Sequence, residues 1–119
     1  MIPPRVVIGW RKPGGRKPDG VIVCSRPSRW GNPWRVEEYG DKRKWYRVLD
    51  SNDNIVKGSQ CPNKARVVAD CLWLYRVYLE EMLKLDPAFL DPLRTATGLA
   101  CWCPLDQRCH VDVIREMMK

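Results

Sequence analysis

The densest run of reactive side chains lies near the end of the chain, in GLACWCPLDQRCHVD, residues 98–112. Read as a strand, Gly98–Cys103 puts Cys101 and Cys103 on one face and Trp102 on the other, because side chains alternate. Cys103 then lies at the strand's carboxyl end. In open α/β sheets ligands collect at that end, and a following helix directs unpaired N–H groups and the positive end of its dipole into the same space. Cys109 and His110 flank that helix start. A thiol there has its thiolate favoured by the helix terminus, by Arg108 and by a protonated His110, which makes it a better nucleophile or metal ligand.

Four readings fit these residue types, and the sequence leaves them open. Cys101, Cys103, Cys109 and His110 are zinc-ligand types, but C-x-C-x5-C-H lacks the usual paired-cysteine knuckle and does not favour zinc. Covalent catalysis by Cys103 or Cys109, with His110 as base or orienting group, needs the same proximity. A non-covalent pocket uses the loop N–H groups, Arg108 and His110 to hold a phosphate. The plainest reading makes Cys101 and Cys103 small core residues and His110 a helix cap. The Cys103-x4-Arg108 spacing has the length of a sulfur-transfer or phosphatase loop, yet Pro104 removes a donor and Asp106 adds a negative charge.

The second segment is RPSRWGNPW, residues 26–34, which leaves the carboxyl end of the apolar run Val21–Ser25. If the two strands are parallel neighbours, it faces the cysteine loop across one crevice. Ser28 and Asn32 can then hydrogen-bond a sugar or base, and Arg26 and Arg29 can hold phosphate. Trp30 can stack, and Gly31 lets the backbone approach closely. The competing reading is a rigid turn whose Asn satisfies its own backbone and whose Trp seals the core.

The elements that must position these segments follow from pattern. Arg5–Gly9 and Val21–Ser25 read as strands separated by the Gly/Pro-rich, charged stretch Arg11–Gly20. Arg43–Leu49 and Asn54–Lys57 flank the turn-forming DSNDN and read as a hairpin. Asn63–Leu85 reads as a long amphipathic helix, with Val68, Leu72, Tyr75, Leu79 and Met82 three or four residues apart. An Asp86-Pro87 pair suits a helix start, a second Asp-Pro at 91–92 breaks or restarts it, and Gly98 ends it. Val111–Lys119 reads as a terminal helix. Together these give a small single-domain α/β fold over residues 1–119, with a Rossmann-like sheet, flanking helices and a C-terminal βα unit.

Composition narrows the partners. The chain has 119 residues, 45% of them hydrophobic, and six tryptophans, which argues against disorder. No stretch approaches the ~20 apolar residues that span a bilayer, and the start lacks the apolar run of a signal peptide, so a cytoplasmic protein without a membrane partner is expected. Six cysteines in that compartment read as reduced thiols rather than disulfides. The net charge of +7 is lopsided, because residues 1–47 carry twelve Lys/Arg against four Asp/Glu together with four of the six tryptophans. Cations interleaved with flat rings suit a nucleobase or single-stranded nucleic acid.

Taken together, RPSRWGNP at 26–33 and LACWCPLDQRCHVDV at 99–113 resemble a family of phage and bacterial chains, the domain of unknown function 4326, from about Arg5 to Met117. The resemblance implies a compact α/β domain with a shared pocket, and a phage origin acting in the host cytoplasm, and it names no reaction. The expected function is therefore binding, with or without processing, of a nucleotide or nucleoside-type ligand between the two loops. The alternatives are a nucleic-acid-binding accessory module using the basic N-terminal part, and a phage protein acting on a host protein.

Overall fold

The computed structural model describes residues 2–119. Strands β1 (Arg5–Val7), β2 (Val21–Val23), β3 (Arg35–Tyr39) and β4 (Trp45–Leu49) precede helix α1 (Lys64–Leu85). A 3-10 turn at Asp91–Leu93, strand β5 (Gly98–Cys101) and helix α2 (His110–Met117) follow. Three strands form a parallel sheet in the order β1-β5-β2, with Val6 opposite Ala100 and Ile22 opposite Leu99. The central position of β5 matches its sequence, since every residue of Gly98–Cys101 is buried, as a strand covered on both faces requires. Gly98 is needed there: a Cβ would stand 2.6 Å from Val6 Cγ2.

Both helices pack on one face of this sheet. Val67, Cys71, Leu72, Tyr75 and Leu79 form the buried stripe of α1, with the adjacent pair Cys71 and Leu72 at its middle and steps of three or four on either side. Asn63 caps the helix by accepting from Arg66 N–H, and Asp86 ends it, with Pro87 unable to continue. Leu72, Tyr75 and Leu79 meet Leu99, Cys101, Val111 and Ile114 in the main core. A smaller cluster of Ile8, Val21 and Ala100 lies on the other face.

The α/β class is observed, with the expected long helix and the C-terminal βα unit. The sheet has three strands, and the β1–β2 connection carries no helix, so it lacks the two βαβ halves of a dinucleotide fold. The expected hairpin is re-paired. Its strand β4 pairs antiparallel with β3, while Asn54–Lys57 supplies only the bridge from Ile55 to Leu49. The DSNDN turn forms as expected, with Asp50 Oδ1 accepting from Asn52 and Asn54 N–H. Cross-strand chemistry chose the partner: Arg47 Nε donates to Glu37 Oε1 at 2.7 Å, and its guanidinium lies 4.2 Å from the Tyr39 ring centre. Asp86-Pro87 starts no helix; Asp86 Oδ1 accepts from Ala88 N–H in a turn, and burial of Phe89, Leu90 and Leu93 holds the segment.

The consequence for function is positional. Because β2 and β5 are adjacent and parallel, the segments leaving their carboxyl ends emerge side by side. Pairing continues past the strands, with Cys24 N–H donating to Ala100 O at 2.8 Å and Ile8 N–H to Cys101 O at 2.9 Å.

Candidate functional site

The two loops bound one cavity of about 430 Å³. Arg26 and Asn32 come to it from the loop after β2, and Cys101, Trp102, Cys103, Arg108, Cys109 and His110 from the loop after β5, with Trp34 and the α1 side chains Val68 and Cys71 closing it. A hydrogen bond ties the two loops together: His110 Nε2 lies 2.7 Å from the Cys24 carbonyl oxygen. A carbonyl only accepts, so Nε2 carries the proton and Nδ1 of the neutral ring is the acceptor. Nδ1 faces Cys109 Sγ at 3.5 Å. Burial lowers the pKa of His110 from its ordinary 6.5, against the Cys24 hydrogen bond, and so keeps the ring neutral at neutral pH. Tyr75 meets the imidazole edge-on with ring centres 5.5 Å apart, and its hydroxyl donates to the Trp30 carbonyl.

The cysteine loop converges its sulfurs. Cys101, Cys103 and Cys109 place their Sγ atoms within 4.8 Å of one another, with Cys101 and Cys109 3.0 Å apart, and all six cysteines are free thiols. Cys101 and Cys109 are buried, whereas Cys103 is half-buried. Hydrogen bonds from Cys101 and Cys109 pull the Cys103 pKa down, helped by the charge of Arg5. The reciprocal effect raises the other two thiols, Cys109 through its bonds to Cys101 and Cys103, and Cys101 through its bond to Cys103.

Arg5 shapes this loop from behind. Its guanidinium donates to the carbonyls of Gln107 at 2.8 Å, Pro104 at 3.0 Å and Leu105 at 2.6 Å, and to Asp112 Oδ2 at 3.2 Å. Asp112 Oδ2 in turn accepts from Cys109 N–H at 3.0 Å, fixing the start of α2. Sequence reasoning did not single out Arg5, and the signal was slight: a charged residue opening a strand that is otherwise Val-Val.

The RPSRWGNP loop behaves differently. Asn32 is buried; its Oδ1 accepts from Trp34 N–H at 2.9 Å and its Nδ2 donates to Cys71 Sγ at 3.5 Å. Burial pushes the Cys71 thiol up to about 11, an effect that the Asn32 bond opposes. Gly31 clears space for its own loop, since a Cβ would stand 2.8 Å from Arg26 N. Trp30 donates from Nε1 to Phe89 O at 3.1 Å, and Arg29 lies over the Trp30 and Phe89 rings at 5.3 and 4.9 Å. Trp30, Arg29 and Gly31 therefore do not line this cavity, and the aromatic walls expected of Trp30 come from Trp34 and the exposed Trp102. Ser28 lines an adjoining hollow of about 480 Å³ shared with Arg11, Ser25, Arg26 and Trp102, and its Oγ is buried without a hydrogen-bond partner.

The family model Domain of unknown function (DUF4326) matches residues 9–119, and the chain belongs to that family. The match covers every cavity residue named above and leaves out Arg5. No curated protein and no solved structure matches the chain. Among the described residues, no helix is long and apolar enough to cross a membrane.

Proposed function

We propose that this member of the family binds an anionic, nucleotide- or nucleoside-type ligand in the cavity between the two loops. The observation that carries this reading is a pair of cations, one per loop. Arg26 and Arg108 both line the cavity, and among the described residues neither side chain has an ion pair or hydrogen bond. A free guanidinium matches phosphate oxygens with two parallel donors. Trp34 and Trp102 add ring faces for a base. The volume lies within the range of roughly 300–1,000 Å³ typical of small-ligand sites, and the position at the carboxyl ends of parallel strands is where such sites form. Binding is the function proposed, and six free cysteines fit the reducing cytoplasm as its compartment.

The test is calorimetric titration with nucleoside monophosphates, the matching free nucleosides and inorganic phosphate. The expected order is monophosphate above nucleoside, and Arg26→Ala or Arg108→Ala weakens the monophosphate about tenfold, the scale of a lost charge-assisted hydrogen bond. Equal affinities for wild type and the double variant would remove the reading.

The adjoining hollow favours a second reading, in which the ligand is part of a polynucleotide. Arg11 lines that hollow, its guanidinium stands 6.0 Å from the Trp102 ring centre, and the exposed stretch holding Lys12, Arg16 and Lys17 continues from it. Affinity for a short single strand should then fall steeply with salt and drop further when these four cations are replaced by Ala. Salt-independent binding would count against it.

A further inference from the structure

We infer that Cys101, Cys103, Cys109 and His110 hold one zinc ion. The inference stands apart from the ligand of the cavity, since it rests on donor atoms rather than on Arg26 or Arg108. Zinc takes sulfur at ~2.3 Å and imidazole nitrogen at ~2.0–2.1 Å in a tetrahedron, which sets two sulfurs ~3.8 Å apart and a sulfur and a nitrogen ~3.6 Å apart. The three sulfurs here lie within 4.8 Å of one another, and His110 Nδ1 lies 3.5 Å from Cys109 Sγ. Cys101 and Cys109, at 3.0 Å, need to part by less than ~1 Å to reach the tetrahedral spacing.

Two observations beyond the cluster point to an ion. The first is the anchoring of the imidazole: His110 gives its Nε2 proton to the Cys24 carbonyl at 2.7 Å, which leaves the Nδ1 lone pair facing Cys109 Sγ at the edge of the cluster. Metal-ligating histidines are oriented by such a bond to a carbonyl or carboxylate. The second is that the backbone of residues 104–107 is held by a side chain from outside the loop rather than by its sulfurs. Arg5 holds the carbonyls of Pro104, Leu105 and Gln107, and Asp112 holds Cys109 N–H, so the thiols remain available as donors. Three thiolates and one imidazole form a soft donor set that suits zinc. Around the dication they leave one net negative charge, with the Arg5 guanidinium close behind the loop.

The linear spacing C-x-C-x5-C-H is unlike a paired-cysteine knuckle, but the fold replaces the knuckle. Cys101 ends β5, Cys109 caps α2, and the loop between them turns Cys103 back onto both. Closed by His110, the site is of the structural Cys3His kind, tying the end of the central strand to the start of the last helix.

The experiment measures metal by plasma mass spectrometry and native mass on untagged protein from zinc-supplemented cells, and takes the absorption spectrum of wild-type protein reconstituted with cobalt(II). One zinc per chain and a tetrahedral, thiolate-ligated cobalt spectrum are expected. Cys103→Ser and His110→Ala should each weaken zinc at least tenfold in competition with a chromophoric chelator, whereas Cys61→Ser should not. Folded wild-type protein without stoichiometric zinc, or with an octahedral cobalt spectrum, overturns the inference even if the variants fail to fold. So does full zinc content in the Cys101/Cys103/Cys109 triple serine variant. Metal content is read without nucleotide, so its failure leaves the cavity's ligand to be judged by the Arg26 and Arg108 titrations.

Discussion

The two walls of the cavity carry similar residue types and use them in opposite ways. In the RPSRWGNP wall the polar and aromatic groups build the loop itself: Asn32 closes its own turn and reaches Cys71, Trp30 anchors to Phe89, and Gly31 lets the chain cross Arg26. Among its cations, Arg26 alone lines the cavity. In the cysteine wall the scaffold is imported. Arg5, from a different strand, supplies the bonds that shape residues 104–107, and the sulfurs, the imidazole and Arg108 are left facing the cavity side. A polar side chain that satisfies local backbone is committed to folding, whereas one whose backbone is satisfied from elsewhere can serve a ligand.

Removing the imported scaffold should break the comparison most severely. Arg5→Ala leaves three loop carbonyls and a partly buried carboxylate without their cation, and should lower stability by about 3 kcal/mol. Urea denaturation measures this, and the same variant should lose zinc. A change below about 0.5 kcal/mol, the level of an ordinary surface substitution, would mean the loop orders itself.

Asn32→Ala comes next. It strips a buried turn of its cap, with an expected cost of about 2 kcal/mol, while nucleotide affinity of the folded protein changes little. Large loss of affinity at unchanged stability would instead make Asn32 a ligand residue. Trp30→Phe keeps most of the ring and loses the bond to Phe89, and should cost about 1 kcal/mol. The smallest stability effects, within about 0.5 kcal/mol, belong to Arg26→Ala and Arg108→Ala. These are the variants that should weaken the ligand most, so stability and affinity sort the two walls in opposite order.

Much of this was legible in the residues. The spacing of Leu72, Tyr75 and Leu79 specified the long helix, and two apolar runs each followed by a polar motif marked the loops, which meet because the structure makes those strands parallel neighbours. What was hidden depended on distant partners. β3 reads as Arg-Val-Glu-Glu-Tyr, too charged to stand out as a strand, until Arg47 across the sheet neutralises Glu37. Trp30 and Trp34 are equal in type, and only the Phe89 carbonyl, 59 residues away, turns one into an anchor and leaves the other for the cavity. The role of Arg5 is fixed by bonds to residues 99 to 107 positions later, which no local pattern reports.

The central claim is that both loops grip one ligand. Amide and indole shift mapping of nitrogen-15-labelled protein during titration with a nucleoside monophosphate tests it directly. The account predicts saturable shifts in residues 25–34 and 101–110 together, including the Trp34 and Trp102 indoles. Shifts confined to one loop or to the basic stretch 11–20, or no shifts at millimolar ligand, would contradict it.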